Sequence, residues 1–137
     1  MSASEELQDL IEATLRADAA VGAIVGDRIY DQAPPLDRRT FPDVTFGPSD
    51  YVPENLECLS AREETLQLDC WTRDHGRLAS CRALTDAVKV ALHNADLTLS
   101  TNALVLIQIE QVRVFRDPDG LTGHGVVQVT ASVEEAD

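Results

Sequence analysis

The sequence predicts an α+β fold: an antiparallel sheet of about four to five strands packed against two helices, with a long C-terminal β-hairpin and an irregular acidic loop. Three observations carry this. From Thr65 to Thr72, Leu66, Leu68, Cys70 and Thr72 alternate with Thr65, Gln67, Asp69 and Trp71, the period-two pattern of a half-buried strand. After a break at Asp74-His75-Gly76, Leu78, Cys81, Leu84, Val88, Ala91 and Leu92 recur three or four residues apart. Arg82, Asp86 and Lys89 fall between them, as on an amphipathic helix running to about Asn94. Finally, Val127, Val129, Ala131 and Val133 alternate with Gln128, Thr130 and Ser132 in a last strand. With no repeat and no linker, the 137 residues read as one domain over 1–137.

Taken in order, Ser2 and Glu5 have capping-box spacing, and Leu7, Leu10, Ile11, Thr14 and Leu15 form the stripe of a first helix. Asp18 caps a second short turn, Ala19 to Val25, that Gly26 ends. Arg28 to Asp31 is a short strand, and Ala33 to Arg39 a loop, since Pro34-Pro35 removes two donors. Asp43 to Phe46 is a strand. From Gly47 to about Arg62 the period is lost, interrupted by Pro48, Asp50, Pro53, Asn55 and Ser60. This stretch reads as a loop, either functional and ordered by a partner or plain irregular surface, or else as a distorted edge strand. In the strand from Leu104 to Arg116, Val105, Ile107 and Ile109 share one parity, and Val112 and Val114 the other. One extra residue near Glu110 or Gln111 puts both groups on the core face. Asp117-Pro118-Asp119-Gly120 is a turn, with an extended tip continuing to Gly125.

Composition narrows the function. At 44% hydrophobic the chain has a core, and at 4% aromatic that core is aliphatic. Twenty-four acidic against 11 basic residues give a net charge of −13, which repels nucleic-acid phosphate and argues against direct DNA binding. Cys58, Cys70 and Cys81 are too scattered for a disulfide framework or a zinc site, so a reducing compartment is expected. Met1-Ser2-Ala3-Ser4-Glu5-Glu6 lacks the features of a signal peptide, and the longest apolar run, Ala103 to Ile107, is too short to span a bilayer. The expectation is a soluble protein without a membrane partner.

Candidate chemistry is sparse. His75, His93 and His124 lie on different elements without metal-ligand spacing; His75 and His124 read as turn residues beside glycines, His93 as a helix C-cap whose partly cationic ring suits the dipole. Asp69 and Trp71 share the face opposite Leu66 and Leu68. A catalytic carboxylate beside an aromatic is one reading, and an interface anchored by tryptophan is the simpler one. Asp117 and Asp119, with Asp27 or Asp31, lack the spacing of a calcium loop. Gly120, Gly123 and Gly125 neither follow a strand nor open a helix, as a dinucleotide fingerprint requires. No catalytic, cofactor or metal residue is assigned.

Several stretches together resemble one family. Ala17 to Tyr30, Phe41-Pro42, Trp71-Thr72-Arg73, Gly76-Arg77, Leu92 to Leu97 and Arg113 to Thr122 are similar, in order and across nearly the whole chain, to the tail completion or tail terminator proteins of long-tailed phages and gene transfer agents. Gly47 to Arg62 is longer and more acidic than that pattern. The resemblance implies a structural virion protein and no enzyme: a ring, a homo-oligomer of six copies, at the head-proximal end of the tail tube in the tail neck, assembled in the host cytoplasm. Its partners would be the tail tube protein and a head-side stopper or connector, with DNA passing through the lumen without specific binding. The residues expected at interfaces are Tyr51, Glu54, Glu57, Trp71, Arg73, Arg116, Asp117, Asp119 and Leu121. Two alternatives stay open: another head-tail joining protein, such as a stopper or adaptor, and an acidic DNA-mimic regulatory domain. An enzyme is the least supported class.

Overall fold

The computed structural model of the chain describes residues 1–136. Helix α1 (Ala3–Ala17) starts where Ser2 Oγ accepts the N–H of Glu5 at 3.1 Å, and α2 (Ala19–Val25) where Asp18 Oδ1 accepts that of Val21 at 3.0 Å. Both caps are the expected ones. Strand β1 (Ile29–Tyr30) and a 3₁₀ turn (Leu36–Arg38) lead to β2 (Asp43–Leu56), β3 (Leu59–Arg73), α3 (Ala79–Leu92), β4 (Ala103–Arg116) and β5 (Thr122–Glu134). The strands form one sheet in the order β1-β2-β3-β5-β4, antiparallel except for the two-residue parallel pairing of β1 with β2.

All three helices cover one sheet face. Leu66, Leu68 and Cys70 of β3, Val127, Val129, Ala131 and Val133 of β5, and Ile107 of β4 are buried beneath Leu7, Ile11, Leu15, Leu84, Val88 and Leu92. The alternations predicted for β3, α3 and β5 therefore hold. So does the bulge in β4: Ile109 pairs with Val129 and Gln111 with Gln128, leaving Glu110 as the extra residue. A second irregularity between Leu104 and Leu106 corrects one expectation. Leu104 takes the inward position opposite Val133, and Val105 is 60% exposed.

Three further corrections follow. Gly47 to Arg62 is not a loop: β2 and β3 pair without interruption from Ser49↔Leu66 to Leu56↔Leu59, after a bulge between Phe46 and Ser49. Because β1 covers only Val44 and Thr45, the rest of β2 is an outer edge, where prolines are tolerated. The distorted edge strand was the right alternative. Next, the tip between β4 and β5 is short. Asp117 N–H bonds to Thr122 O at 2.9 Å, and β5 begins at once. His124 is thus a strand residue, not a turn residue. The glycines beside it serve packing, since a Cβ on Gly125 would lie 2.3 Å from Thr85 Cγ2 and one on Gly123 3.2 Å from Cys81 Cβ. They let α3 settle onto β5. Last, His93 Nδ1 accepts the N–H of Ile109 at 3.0 Å, so the ring holds its proton on Nε2 and serves as an acceptor, not as a cation.

Two polar ties close the core near the start of β4. Glu6 of α1 accepts the backbone N–H groups of Thr101 and Asn102, the latter at 3.0 Å. The buried Glu64 accepts from Ser4 Oγ at 2.8 Å and lies beside Arg62, which also pairs with Glu135. Cys70 and Cys81 are buried, and burial pushes both thiols up, Cys70 furthest. Among the described residues no helix is long and apolar enough to cross a membrane.

Gly125→Ala should destabilise the fold by about 1–3 kcal/mol, the usual range for overpacking, read as a lower urea midpoint at unchanged slope. The bond from Asn102 N–H holds the Glu6 carboxyl below its usual range, helped by Thr101 and against the opposing effect of burial. The folded state therefore binds fewer protons than the unfolded chain in mild acid. The stability gap between wild type and Glu6→Gln should be full above an unfolded carboxylate pKa of about 4.3, and should shrink as pH falls through the lower folded value. Urea titrations at neutral pH and near pH 3 read this directly; an unchanged gap would contradict it.

Candidate functional site

The sheet face away from the helices carries a cluster of aromatic and charged side chains. It is built by register. Trp71 of β3 stands directly opposite His124 of β5, and His124 opposite Phe115 of β4. The imidazole stacks on the indole with centroids 3.8 Å apart and planes 17° apart, and Phe115 tilts against it at 4.9 Å. His124 Nε2 lies 2.7 Å from Asp69 Oδ1; a carboxylate only accepts, so Nε2 donates. Gln67 Nε2 donates to the same oxygen at 2.9 Å. Asp69 is 7% exposed, and it fits because β2 carries a glycine at its bulge, where a Cβ on Gly47 would sit 2.7 Å from Asp69 Oδ2.

The cluster continues toward β2. Trp71 Nε1 donates to Thr45 Oγ1 at 3.0 Å. Arg39 binds Asp43 through two bonds of 2.7 Å, and its guanidinium lies over the rings of Phe41 and Trp71. Asp43 is fully buried, so this paired fork is what makes its charge tolerable there. Asp69 and His124 are thus tied down, with the ring faces of His124 covered by Trp71 and Phe115. Neither residue lines any of the four main cavities among the described residues.

The residues expected at interfaces divide between the two ends of the sheet. Trp71, Arg73, Arg116, Asp117, Asp119 and Leu121 gather at the end where the β4–β5 turn meets the β3–α3 turn. There Arg116 Nε donates to Gly76 O at 2.7 Å, and Arg73 Nε donates to Thr122 Oγ1 at 3.1 Å. Asp119 accepts from the Leu121 and Thr122 backbone, and the Thr122 hydroxyl above all holds its carboxyl below the usual range. Asp117 lies 3.6 Å from His124 Nδ1. Most of these charges are spent inside the fold, whereas Leu121 stays 55% exposed.

Tyr51, Glu54 and Glu57 lie toward the opposite end, along β2 and its turn into β3. Fourteen steps of β3 at about 3.3 Å each set that turn roughly 45 Å from Arg73. Tyr51 lies under the Arg62 guanidinium, 3.7 Å from it, and Glu54 is exposed. Sequence reasoning missed Thr45, Arg39, Asp43, Phe115 and His124 as members of the cluster. The available signal was parity: His124 is an even number of residues from Val126 and Gln128, on their face.

The sequence matches the family model described as Tail completion protein gp17 over residues 9–134. No curated protein matches the chain. Among solved structures, a chain of the virion of a native gene transfer agent (GTA) particle aligns with a TM-score of 0.88 at 27% identity, covering 97% of this chain and 98% of that one.

Truncation of His124 removes a stacked pair and leaves the Asp69 carboxylate without its closest donor. His124→Ala should therefore cost about 1–3 kcal/mol in stability. It should also alter the emission of Trp71, the chain's one tryptophan. Unchanged emission and an unchanged urea midpoint would show that the cluster holds nothing in place.

Proposed function

The chain belongs to the Tail completion protein gp17 family, and from that premise we propose that this structural tail protein is a tail terminator. Copies of it form a ring, six in number, at the head-proximal end of the tail tube in the virion neck. The ring ends tube polymerisation and offers its other side to the head-side stopper or connector. The observation that carries this reading is the near end-to-end correspondence with a chain of a gene transfer agent virion. An isolated enzymatic domain or a regulator would have no reason to share that whole outline.

The site's chemistry supports it. Asp69 and His124 make a carboxylate-imidazole pair, but the hydroxyls nearest in the cluster, Thr45 and Thr122, are engaged by Trp71, Arg73 and Asp119. Among the described residues, neither threonine hydroxyl is free for the pair to activate, and the four main cavities are lined by other residues. We therefore assign the chain no catalytic role and no cofactor. A net charge of −13 per copy makes an acidic collar, along which DNA passes without adsorbing. Trp71, Arg73, Arg116, Asp117, Asp119 and Leu121 at one end of the sheet, and Tyr51, Glu54 and Glu57 at the other, are the residues proposed to meet tube and connector. Assembly takes place in the host cytoplasm.

Native mass spectrometry of the chain, alone and with its tube protein, should give a species near six times the 14.9 kDa protomer. Electron cryo-microscopy of particles should place it against the last tube ring. A strictly monomeric chain under both conditions, or density one layer removed from the tube, would overturn the terminator reading; the second outcome would identify a stopper or adaptor instead.

A further inference from the structure

The two flanks of the sheet are unlike. Between α3 and β4 runs a groove of about 340 Å³ lined by Arg82, Thr85, Asp86, Lys89, Val112 and Val114. The cations Arg82 and Lys89 outnumber the one carboxylate that lines it, Asp86. Neither forms an ion pair among the described residues. In a chain of net charge −13 this is an unusual surface. The other flank, between α1 and β2, holds a groove of about 520 Å³ lined by Glu5, Asp9, Glu12 and Asp31, among others. The exposed Asp50 and Glu54 follow along β2. Among the described residues, only Glu12 of these has a cationic partner, the exposed Arg16.

Each flank also exposes an aliphatic side chain, and the register sets the two at one level. Val52 pairs with Glu63, Glu63 with Ser132 and Ser132 with Leu106 across the sheet. Val52 is 63% exposed and Leu106 is 44% exposed. In a planar ring every copy repeats this level, so Leu106 of one copy comes up beside Val52 of the next.

We infer that the β4–α3 flank of one copy docks on the β2–α1 flank of a second copy, head to tail, with Arg82 and Lys89 facing the carboxylates of α1 and β2. This rests on the ring reading and names its subunit interface. A two-fold pairing of either flank with itself would set like charges together, whereas the heterologous pairing matches opposite charges and closes by rotation. The contact is made by side chains, not by strand addition. On β4, Ile107 O and Ile109 N are already bound by Asn94 N–H and His93 Nδ1, and on β2, Pro48 and Pro53 lack donors.

Charge exchange tests this. Arg82, Lys89, Glu5, Asp9 and Asp50 have no side-chain hydrogen bond or ion pair among the described residues, so R82E/K89E and E5K/D9K/D50K, the latter turning its flank net positive, should both fold, as circular dichroism will report. Under conditions where the wild type forms rings, each variant alone should lose assembly by about tenfold or more. Their equimolar mixture should regain it, as an alternating ring. Wild-type rings should also dissociate as salt rises from about 50 to about 500 mM, because the contact is screened. Assembly of either variant alone at wild-type level, failure of the mixture to recover, or salt-insensitive wild-type rings would overturn the interface while leaving the ring intact. If the wild type forms no ring even with tube protein, the terminator reading falls and the interface with it.

Discussion

The ladder between β3 and β5 is the constraint on which the rest of the structure depends. Its thirteen pairs, Ala61↔Glu134 to Arg73↔Thr122, run without a slip, whereas β2 carries one irregularity and β4 two. A shift of β5 by one residue would turn Val127, Val129, Ala131 and Val133 out of the helical layer together. It would also part Trp71 from His124 and move Gly123 and Gly125 from under α3, whose close approach needs their missing side chains. Core, aromatic cluster and helix seat are therefore one decision, made by one register. The outer strands can bulge because their errors stay local.

That dependence explains what could be read from residues alone. β3, α3 and β5 each bury one face against a neighbour, so their periods survive in the sequence. The bulge at Glu110 was legible for the same reason: two parity groups, both apolar, had to reach one core. The β2–β3 hairpin was not, because beyond Leu66 it no longer covers the apolar core. There β2 is an exposed edge of Asp50, Pro53 and Glu54, and what keeps it extended is its partner strand, not its own pattern. His124 was hidden differently. Glycine usually marks a turn, but in β5 it marks contact with α3, a fact held by Thr85 and Cys81 some forty residues away. The cluster around Asp69 could be located only in half. Its strand face was visible, but Arg39, Asp43 and Phe115 join it through pairings no local pattern encodes.

The chain closes its sheet with polar groups rather than more apolar surface. Near the β2–β3 turn Glu64, Arg62, Glu135 and Ser4 form one connected set; at the other end Arg73, Thr122 and Asp119 form another, and Arg116 separately binds the backbone of Gly76. Both sets use charge internally, so an inventory of charged residues overstates what a partner would meet. What remains free is the chemistry along the flanks and exposed apolar residues such as Val52, Leu106 and Leu121.

Edge management then bears on how copies associate. A sheet with two open, regular edges would add strands without limit, the geometry of a fibre. Here one edge is interrupted by prolines and the other is capped in its middle by the turn after α3. Backbone pairing is thereby denied, so the association we propose falls to side chains whose charges differ between the flanks. Such contacts are individually weak, screened by salt, and sensitive to angle. A closed ring makes one more of them than an open chain of the same length, so closure is favoured over growth once the angle permits it. On the interface we propose, the acidic excess that keeps copies apart elsewhere on the surface leaves the flank of Arg82 and Lys89 as a place where a second copy is attracted.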